Sequence, residues 1–421
     1  MLKQETIKKG SFKQIALTAA IAIIFLSLYG MIFNPIYARK FFYTAGYAII
    51  ILALIDLKKF TRPFRRLNIT LAVLGYCLTL LVWFLLYRNS GEYFDIYHAY
   101  ETSGRVLFMS AILIFILSNM HFSFPRSLYC IILIGGGVAT DLFAIYQANI
   151  INFNRVELGF DRATMAAYAI SIINILMINA ILTFNGKIRY ILYITGMALS
   201  LSAIVFTGTR AAILAYPILS IILTFFHPNV NKAHLLKLVA CVLALLIIIG
   251  FAFQKELEVR AVAFKNDLVN FEKNNSKTSV GARLAMNWAG FHAGMAALEG
   301  QSAESRAINI DQQIQHDPAM AGAGVFKHVH MHNELIDNFS LRGLAGVIML
   351  MLFYAALIYN AWQERNLVQF VVTLSLITYG LSDVIFFSRE GTISYAIAIL
   401  AALTFSTFEK PIGADKDNVH V

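Results

Sequence analysis

Residues 14–33 read QIALTAAIAIIFLSLYGMIF, an apolar run without a charged side chain. An α-helix needs about 20 apolar residues to cross the roughly 30 Å hydrocarbon core of a bilayer, and this run has that length. Lysines precede it, as in a signal peptide, but no small-residue cleavage site follows. We therefore predict that the run is a transmembrane helix and the first of several.

Similar runs recur along the whole chain. Of its 421 residues, 58% are hydrophobic and only 14% are charged, which is more apolar surface than a soluble protein of this size can bury. The predicted fold class is therefore an all-α polytopic membrane protein with about twelve transmembrane helices. The predicted spans are residues 14–33, 41–55, 68–87, 105–123, 127–149, 163–184, 189–206, 211–227, 235–254, 343–361, 367–382 and 392–408.

The net charge of +10 sets the orientation of these helices rather than indicating a nucleic-acid partner. Lys and Arg concentrate in alternate links, and such links face the cytoplasm. Both termini therefore belong to the cytoplasmic side, and the long polar segment 255–342 belongs to the outside. The basic residues on the cytoplasmic side include Lys58, Lys59, Arg62, Arg65, Arg66, Lys187, Arg189, Lys232, Lys237, Arg365, Lys410 and Lys416.

The chain accordingly divides into three parts. Residues 1–254 carry transmembrane helices 1–9, residues 255–342 form one large outer loop with the catalytic residues, and residues 343–421 carry helices 10–12 and a cytoplasmic tail. A loop of this length in a compact protein is usually functional. It contains apolar residues at spacings of three and four, which predict a helix that lies on the membrane domain. These residues are Leu284, Trp288, Phe291 and Met295.

Two arginines on the outer side are candidate anion-binding residues. Arg210 follows a polar link of only a few residues between two spans, so its guanidinium is expected to point into the protein toward an anion or an acidic partner. The alternative is that Arg210 is an interfacial anchor that reaches for the lipid headgroups. Arg283 lies in the large loop, where an arginine by itself is more often solvated.

Three alternating histidines, His328, His330 and His332, precede the tenth predicted span. In an extended segment they would share one side, which leaves a zinc site open as an interpretation. A single histidine that acts as a general base just outside the membrane is the simpler chemistry. Gly343 and Gly346, which open the span, would allow close approach of a neighbouring helix or a lipid chain.

Taken together, these motifs resemble the bacterial O-antigen ligases, a family that also includes O-antigen polymerases. The matching residues are Arg210 with Leu214, and His332-Asn333 followed by Gly343 and Gly346. The span count, the cytoplasmic termini and the position of the large loop fit the same family, so the resemblance extends over most of the chain.

The resemblance implies a glycosyltransferase of the bacterial inner membrane, with a fold like that of the C-type glycosyltransferases and an active site that faces the periplasm. Its donor would be an O-antigen glycan on undecaprenyl diphosphate, and its acceptor a sugar hydroxyl of lipid A-core oligosaccharide. His332 would be the catalytic base, and Arg210 and Arg283 would bind the diphosphate. No cofactor and no metal are expected, because arginines can stabilise the leaving group, and the sugar centre would be inverted.

Two other functions remain open from the sequence. An O-antigen polymerase would use the same donor with a second lipid-linked glycan as acceptor. A secondary transporter would share the span count and the inside termini, but transporters usually show repeated halves. Asp141, inside a span, is a candidate functional acid, but we expect it to pair with a basic group instead. Arg155 and Arg162 could attract anionic core sugars, but we expect them to be solvated. Arg389 would be a third phosphate contact or an interfacial anchor.

Overall fold

The computed structural model describes residues 12–57, 60, 63–120, 122, 124–151, 155–184 and 186–409. Several lysines used to orient the chain, among them Lys58, Lys59, Lys410 and Lys416, lie outside these residues. The described part is helical, with one isolated β-bridge between Phe60 and Met120. The helices are α1 (Phe12–Phe33), α2 (Pro35–Ile55), α3 (Leu67–Tyr87), α4 (Phe94–Asn119), α5 (Arg126–Asn149), α6 (Ala163–Leu182), α7 (Ile188–Thr207), α8 (Arg210–Phe226), α9 (Lys232–Ala252), α10 (Gln254–Glu272), α11 (Ser279–Ala296), α12 (Ala303–His316), α13 (Glu334–Gln363), α14 (Leu367–Gly380) and α15 (Arg389–Glu409), with short 3₁₀ helices at Pro318–Phe326 and Ile385–Phe387.

Each predicted span overlaps one of these helices, and five spans extend one to four residues past the end of their helix. Among the described residues, nine helices, α1–α7, α9 and α13, are long and apolar enough to cross a membrane, and α8 and α14 are shorter apolar helices. The chain is therefore a multi-pass membrane protein, and the number twelve stays a prediction. Side-chain caps define several helix starts: Asn34 accepts a hydrogen bond from the Tyr37 amide, and Asn366 accepts one from Gln369.

Helix α6 is the centre of the bundle. Its side chains are buried along nearly its whole length, and it contacts α5, α7, α8, α14 and α15. Its polar residues therefore find partners inside the protein rather than in lipid: Asn174 donates to Oδ1 of Asp141 at 2.7 Å, and Ser200 donates to Oδ2 at 3.3 Å. The prediction that Asp141 pairs with a basic group is wrong, because among the described residues an amide and a hydroxyl satisfy this carboxyl group.

The segment 255–342 folds into α10, α11, α12 and a 3₁₀ helix, and α11 packs on the 3₁₀ helix and on α13. The predicted packing face of α11 is wrong, because Leu284, Trp288, Phe291 and Met295 are exposed. The buried face consists mainly of small residues, which let the neighbouring backbone approach closely. These are Gly281, Ala282, Ala285, Ala289, Gly290, Ala293 and Gly294, together with Met286.

Helix α13 begins at Glu334, nine residues before the predicted span, and breaks at Gly343. The φ and ψ angles of Gly343 are 59° and −149°, a combination that is essentially restricted to glycine. At this break the Leu344 amide donates to the Leu298 carbonyl at 2.9 Å, and the Gln301 amide donates to the Leu341 carbonyl at 2.8 Å. The glycine thus lets the backbone of α13 pair with the turn between α11 and α12.

Replacing Gly343 by alanine is expected to lower the thermal unfolding midpoint of the purified protein by several degrees. The added Cβ would collide with the Leu298 carbonyl oxygen and would sit on a backbone that side chains rarely tolerate. Gly135→Ala is the matched control, because nothing lies within 4 Å of a Cβ at that position of α5. Equal midpoints for the two variants would contradict the assigned role of Gly343.

Candidate active site

His332, just before α13, and Asp383, just after α14, form a hydrogen-bonded pair. Nδ1 of His332 lies 3.2 Å from Oδ1 of Asp383, whose side chain is fully buried, whereas His332 remains partly accessible. When Nδ1 donates to the carboxylate, Nε2 is left with a lone pair, the form in which an imidazole accepts a proton. The backbone φ of His332 is +50°, a left-handed conformation that is uncommon for a residue other than glycine.

His330 and Arg162 complete the cluster around this carboxylate. Nε2 of the fully buried His330 lies 3.4 Å from Oδ1 of Asp383. Arg162, at the residue that precedes α6, places Nη1 2.6 Å from the same nitrogen and 3.8 Å from Oδ1 of Asp383. The central helix of the bundle therefore begins at the site, and the predicted solvated position of Arg162 is wrong.

The electrostatics of the cluster favour a charged Asp383 and a neutral His330. Burial opposes charge on Asp383, but His330, the hydrogen bond from His332 and the Arg162 guanidinium outweigh it and hold the pKa of Asp383 well below its usual range. Burial, with further contributions from His332 and Arg162, lowers the pKa of His330 well below 6.5, although Asp383 acts in the opposite direction. Nδ1 of His330 accepts the His332 amide at 3.2 Å, so a neutral His330 carries its proton on Nε2, which faces Oδ1 of Asp383.

A buried ion pair fixes the backbone of residues 328–332, the histidine segment. Arg306 and Asp337 are both fully buried, and Nη1 of Arg306 donates to Oδ1 of Asp337 at 3.1 Å. The same oxygen accepts the Met331 amide at 3.0 Å, and Nη2 of Arg306 donates to the Val329 carbonyl at 2.8 Å. The backbone on both sides of His330 is thereby fixed.

The loop that carries Asp383 is held in a similar way. Oε2 of the buried Glu334 accepts the amides of Ile385 and Phe386 at 2.7 and 3.2 Å. Asn333, the neighbour of His332, caps α13 by accepting the amides of Leu335 and Ile336. The His-Asn motif thus combines the candidate base with the residue that caps the following helix.

The two predicted diphosphate-binding arginines lie in different surroundings. Arg283 is half-buried on α11, the helix that packs on α13. Nη1 of Arg210 lies 3.9 Å from Oδ2 of Asp267, and its guanidinium lies over the ring of Phe264. The expectation that Arg210 points toward an acidic partner is therefore met by Asp267.

The starts of α6 and α8 lie side by side. Thr209, which precedes Arg210, donates its hydroxyl to the carbonyl of Ala163, the first residue of α6, at 3.2 Å. Arg155 donates to the Thr207 carbonyl at 2.9 Å and to Oγ1 of Thr209 at 3.4 Å, so its predicted solvated position is also wrong. Two helix N-termini thus lie next to each other, an arrangement that favours an anion.

The ring nitrogens of His330 and His332 and a carboxylate oxygen of Asp383 all lie within 4.8 Å of one another. Imidazole and carboxylate are ligands that suit zinc, so the composition of this cluster fits the metal interpretation of the histidines. The position of Arg162 fits it less well, because its guanidinium already contacts the nitrogen that would bind the ion. Among the described residues, the geometry is that of a hydrogen-bonded charge network.

Sequence reasoning missed Asp383. The available signal was an acid in a short outer link of an otherwise apolar chain, which in a membrane protein indicates function or a buried partner. Local patterns could not have paired it with His332, because the two residues lie 51 positions apart.

The contribution of His330 and His227 to stability is expected to fall as the pH drops below about 6.5, against an opposite contribution from Glu334, whose burial raises its pKa to about 8. His330 has a lowered pKa in the folded state, and burial together with Arg189 lowers the pKa of His227 to about 4. The unfolded chain then binds protons that the folded chain does not, which removes up to about 1.4 kcal/mol per pH unit for each such histidine. Between pH 7 and 5 in detergent, the free energy of unfolding should depend on the two histidines less in His330→Gln than in the wild type, so it should fall less, or rise more, as the pH drops. The exposed His316→Gln should follow the wild type. A wild-type slope in His330→Gln would contradict this assignment.

Two comparisons with known proteins show what this chain is similar to. Residues 195–351 match the sequence profile of the O-antigen ligase family, and this region includes Arg210, Arg283 and His332. An O-antigen ligase of Escherichia coli (strain K12) is 29% identical over 333 residues, which cover 77% of this chain and 78% of the relative. The chain is therefore similar to O-antigen ligases over most of its length.

Proposed function

We propose that this protein transfers an O-antigen glycan from undecaprenyl diphosphate to a sugar hydroxyl of lipid A-core oligosaccharide, at the periplasmic face of the bacterial inner membrane. The observation that carries the proposal is the His332–Asp383 hydrogen bond of 3.2 Å, with Arg162 beside the same carboxylate. It combines a base with a nearby cationic group, as glycosyl transfer from a lipid diphosphate requires.

In this proposal His332 is the catalytic base. Asp383 holds Nδ1–H, so that Nε2 removes the proton from the acceptor hydroxyl as the oxygen attacks the anomeric carbon. The charge of Asp383 stabilises the imidazolium that results. Attack by the acceptor itself is a single displacement, which inverts the anomeric centre.

The diphosphate leaving group gains negative charge as the bond from the anomeric carbon to oxygen breaks. Arg210 and Arg283 bind it through charge-assisted hydrogen bonds, and Arg162 joins them. The N-termini of α6 and α8 add positive potential at the same place. This set supplies the stabilisation without a metal ion.

Mutation of the pair should separate catalysis from folding. We expect His332→Ala and Asp383→Asn to reduce the transfer rate by a factor of about 10² to 10⁴, because each variant removes or misorients the base. The measurement is single-turnover transfer from an undecaprenyl diphosphate-linked glycan to lipid A-core by the purified protein, with His316→Ala as the control of unchanged rate.

The same assay distinguishes the neighbouring hypotheses. Near-normal turnover of His332→Ala would remove this residue from the mechanism. Transfer to a second lipid-linked glycan, with none to lipid A-core, would identify a polymerase. Loss of activity in EDTA, with rescue by zinc, would revive the metal interpretation of His330, His332 and Asp383.

Lysine substitutions test the arginines. Lysine keeps the positive charge but lacks the planar guanidinium group, which can donate two parallel hydrogen bonds to a phosphate. Arg283→Lys and Arg210→Lys are therefore each expected to impair transfer nearly as much as the alanine substitution does. If both bind one diphosphate, the double variant should be little worse than the poorer single variant. Full activity of Arg210→Lys would show that this residue is an interfacial anchor.

A further inference from the structure

A groove of about 950 Å³ lies between α2 and α4, next to the start of α15. Its mouth is basic, with Arg39, Lys40, Arg105 and Arg389. Two carboxylates lie beside these cations: Glu390 is 3.8 Å from Arg39 and 3.1 Å from Arg389, and Glu101 is 2.5 Å from Arg105. Four cations against two acids leave the mouth positively charged.

Below the mouth, the walls of the groove are mainly apolar and open toward the bilayer. The lining positions follow one face of each helix, and Tyr47 and Phe108 are about half exposed. From Arg39 to Ile50 the wall extends roughly 16 Å at 1.5 Å per residue, about half of the hydrocarbon core, or one leaflet. At Gly46 the two helices touch, because an added Cβ would lie 2.9 Å from the sulfur of Met109. A basic mouth above a one-leaflet apolar wall matches a phosphorylated lipid of that leaflet.

The groove and Arg162 are connected to the catalytic pair through different helices, α4 and α6, and α15 packs against both. Arg162 approaches His330 from the start of α6. The ring of His330 also packs on Phe387 at 4.8 Å, and Phe387 packs on Tyr100 of α4 at 5.7 Å. Helix α4 also contributes Arg105 to the groove, and the loop that carries Asp383 continues into Arg389.

We propose that this groove binds the acceptor lipid, with the mouth on its phosphate groups and the apolar walls on an acyl chain. The assignment rests on the proposed function, in which other arginines bind the donor diphosphate. It makes Arg39 and Arg105 binding residues for lipid A, a role distinct from leaving-group stabilisation.

Binding of bis-phosphorylated lipid A to the full-length protein in detergent tests this proposal. Arg39→Gln and Arg105→Gln are expected to weaken it roughly tenfold each, as for one lost charge-assisted hydrogen bond. Both variants should bind dephosphorylated lipid A as the wild type does. They should also bind undecaprenyl diphosphate as the wild type does. Arg88→Gln, at an exposed arginine after α3, is the control and should behave as wild type. Thr44→Trp, which fills the groove without changing its charge, should weaken both forms of lipid A.

Each other outcome overturns the assignment. Unchanged lipid A binding in all groove variants would remove the groove as a lipid site, and weaker undecaprenyl diphosphate binding with unchanged lipid A binding would make it a donor site. Equal losses in Arg88→Gln would reduce the effect to general surface charge. Because the assay contains no transfer step, wild-type protein that binds as expected but transfers nothing would contradict the proposed function alone.

Discussion

The ion pair between Arg306 and Asp337 is the interaction on which the arrangement of the site depends. Both charges are fully buried, so their mutual attraction and further hydrogen bonds have to offset the cost of removing them from water. Asp337 accepts from Arg306, from the Met331 amide and from the Tyr100 hydroxyl, while Arg306 also donates to the Val329 carbonyl. The charges are therefore compensated largely by the backbone of the histidine segment, so the ion pair and the orientation of that segment stabilise each other.

The site joins chain segments that are far apart in sequence, and a buried acid or a helix start fixes each one. Asp337 holds residues 329–331, Glu334 holds the loop after Asp383, and Arg162 is fixed as the residue that starts the central helix. Buried acids that accept backbone amides position the histidines without contributing to the proposed chemistry themselves. Because Glu334 and Asp337 lie one turn apart on α13, the first turn of this helix aligns His332 with Asp383.

Each of the twelve spans predicted from hydropathy overlaps a helix, because lipid selects composition over about 20 residues and no tertiary contact is needed to recognise it. The same reasoning gave the wrong face of α11, since close packing in this protein favours Ala285 and Ala289 over the larger Leu284 and Trp288. His332 could be recognised from its motif, whereas the partners of Asp383 and Arg162 depend on contacts across 51 and 168 positions. A single sequence carries no local signal for such pairs.

The burial of α6 constrains how two lipid substrates could meet at one base. A fully buried central helix leaves no path for a lipid through the middle of the bundle, so each substrate has to approach from the periphery. The helix starts of α6 and α8 offer positive potential at one place, and the groove between α2 and α4 offers it at another. On the proposed function, His332 then lies where the two headgroups converge, and the hydrocarbon chains never need to share a binding surface.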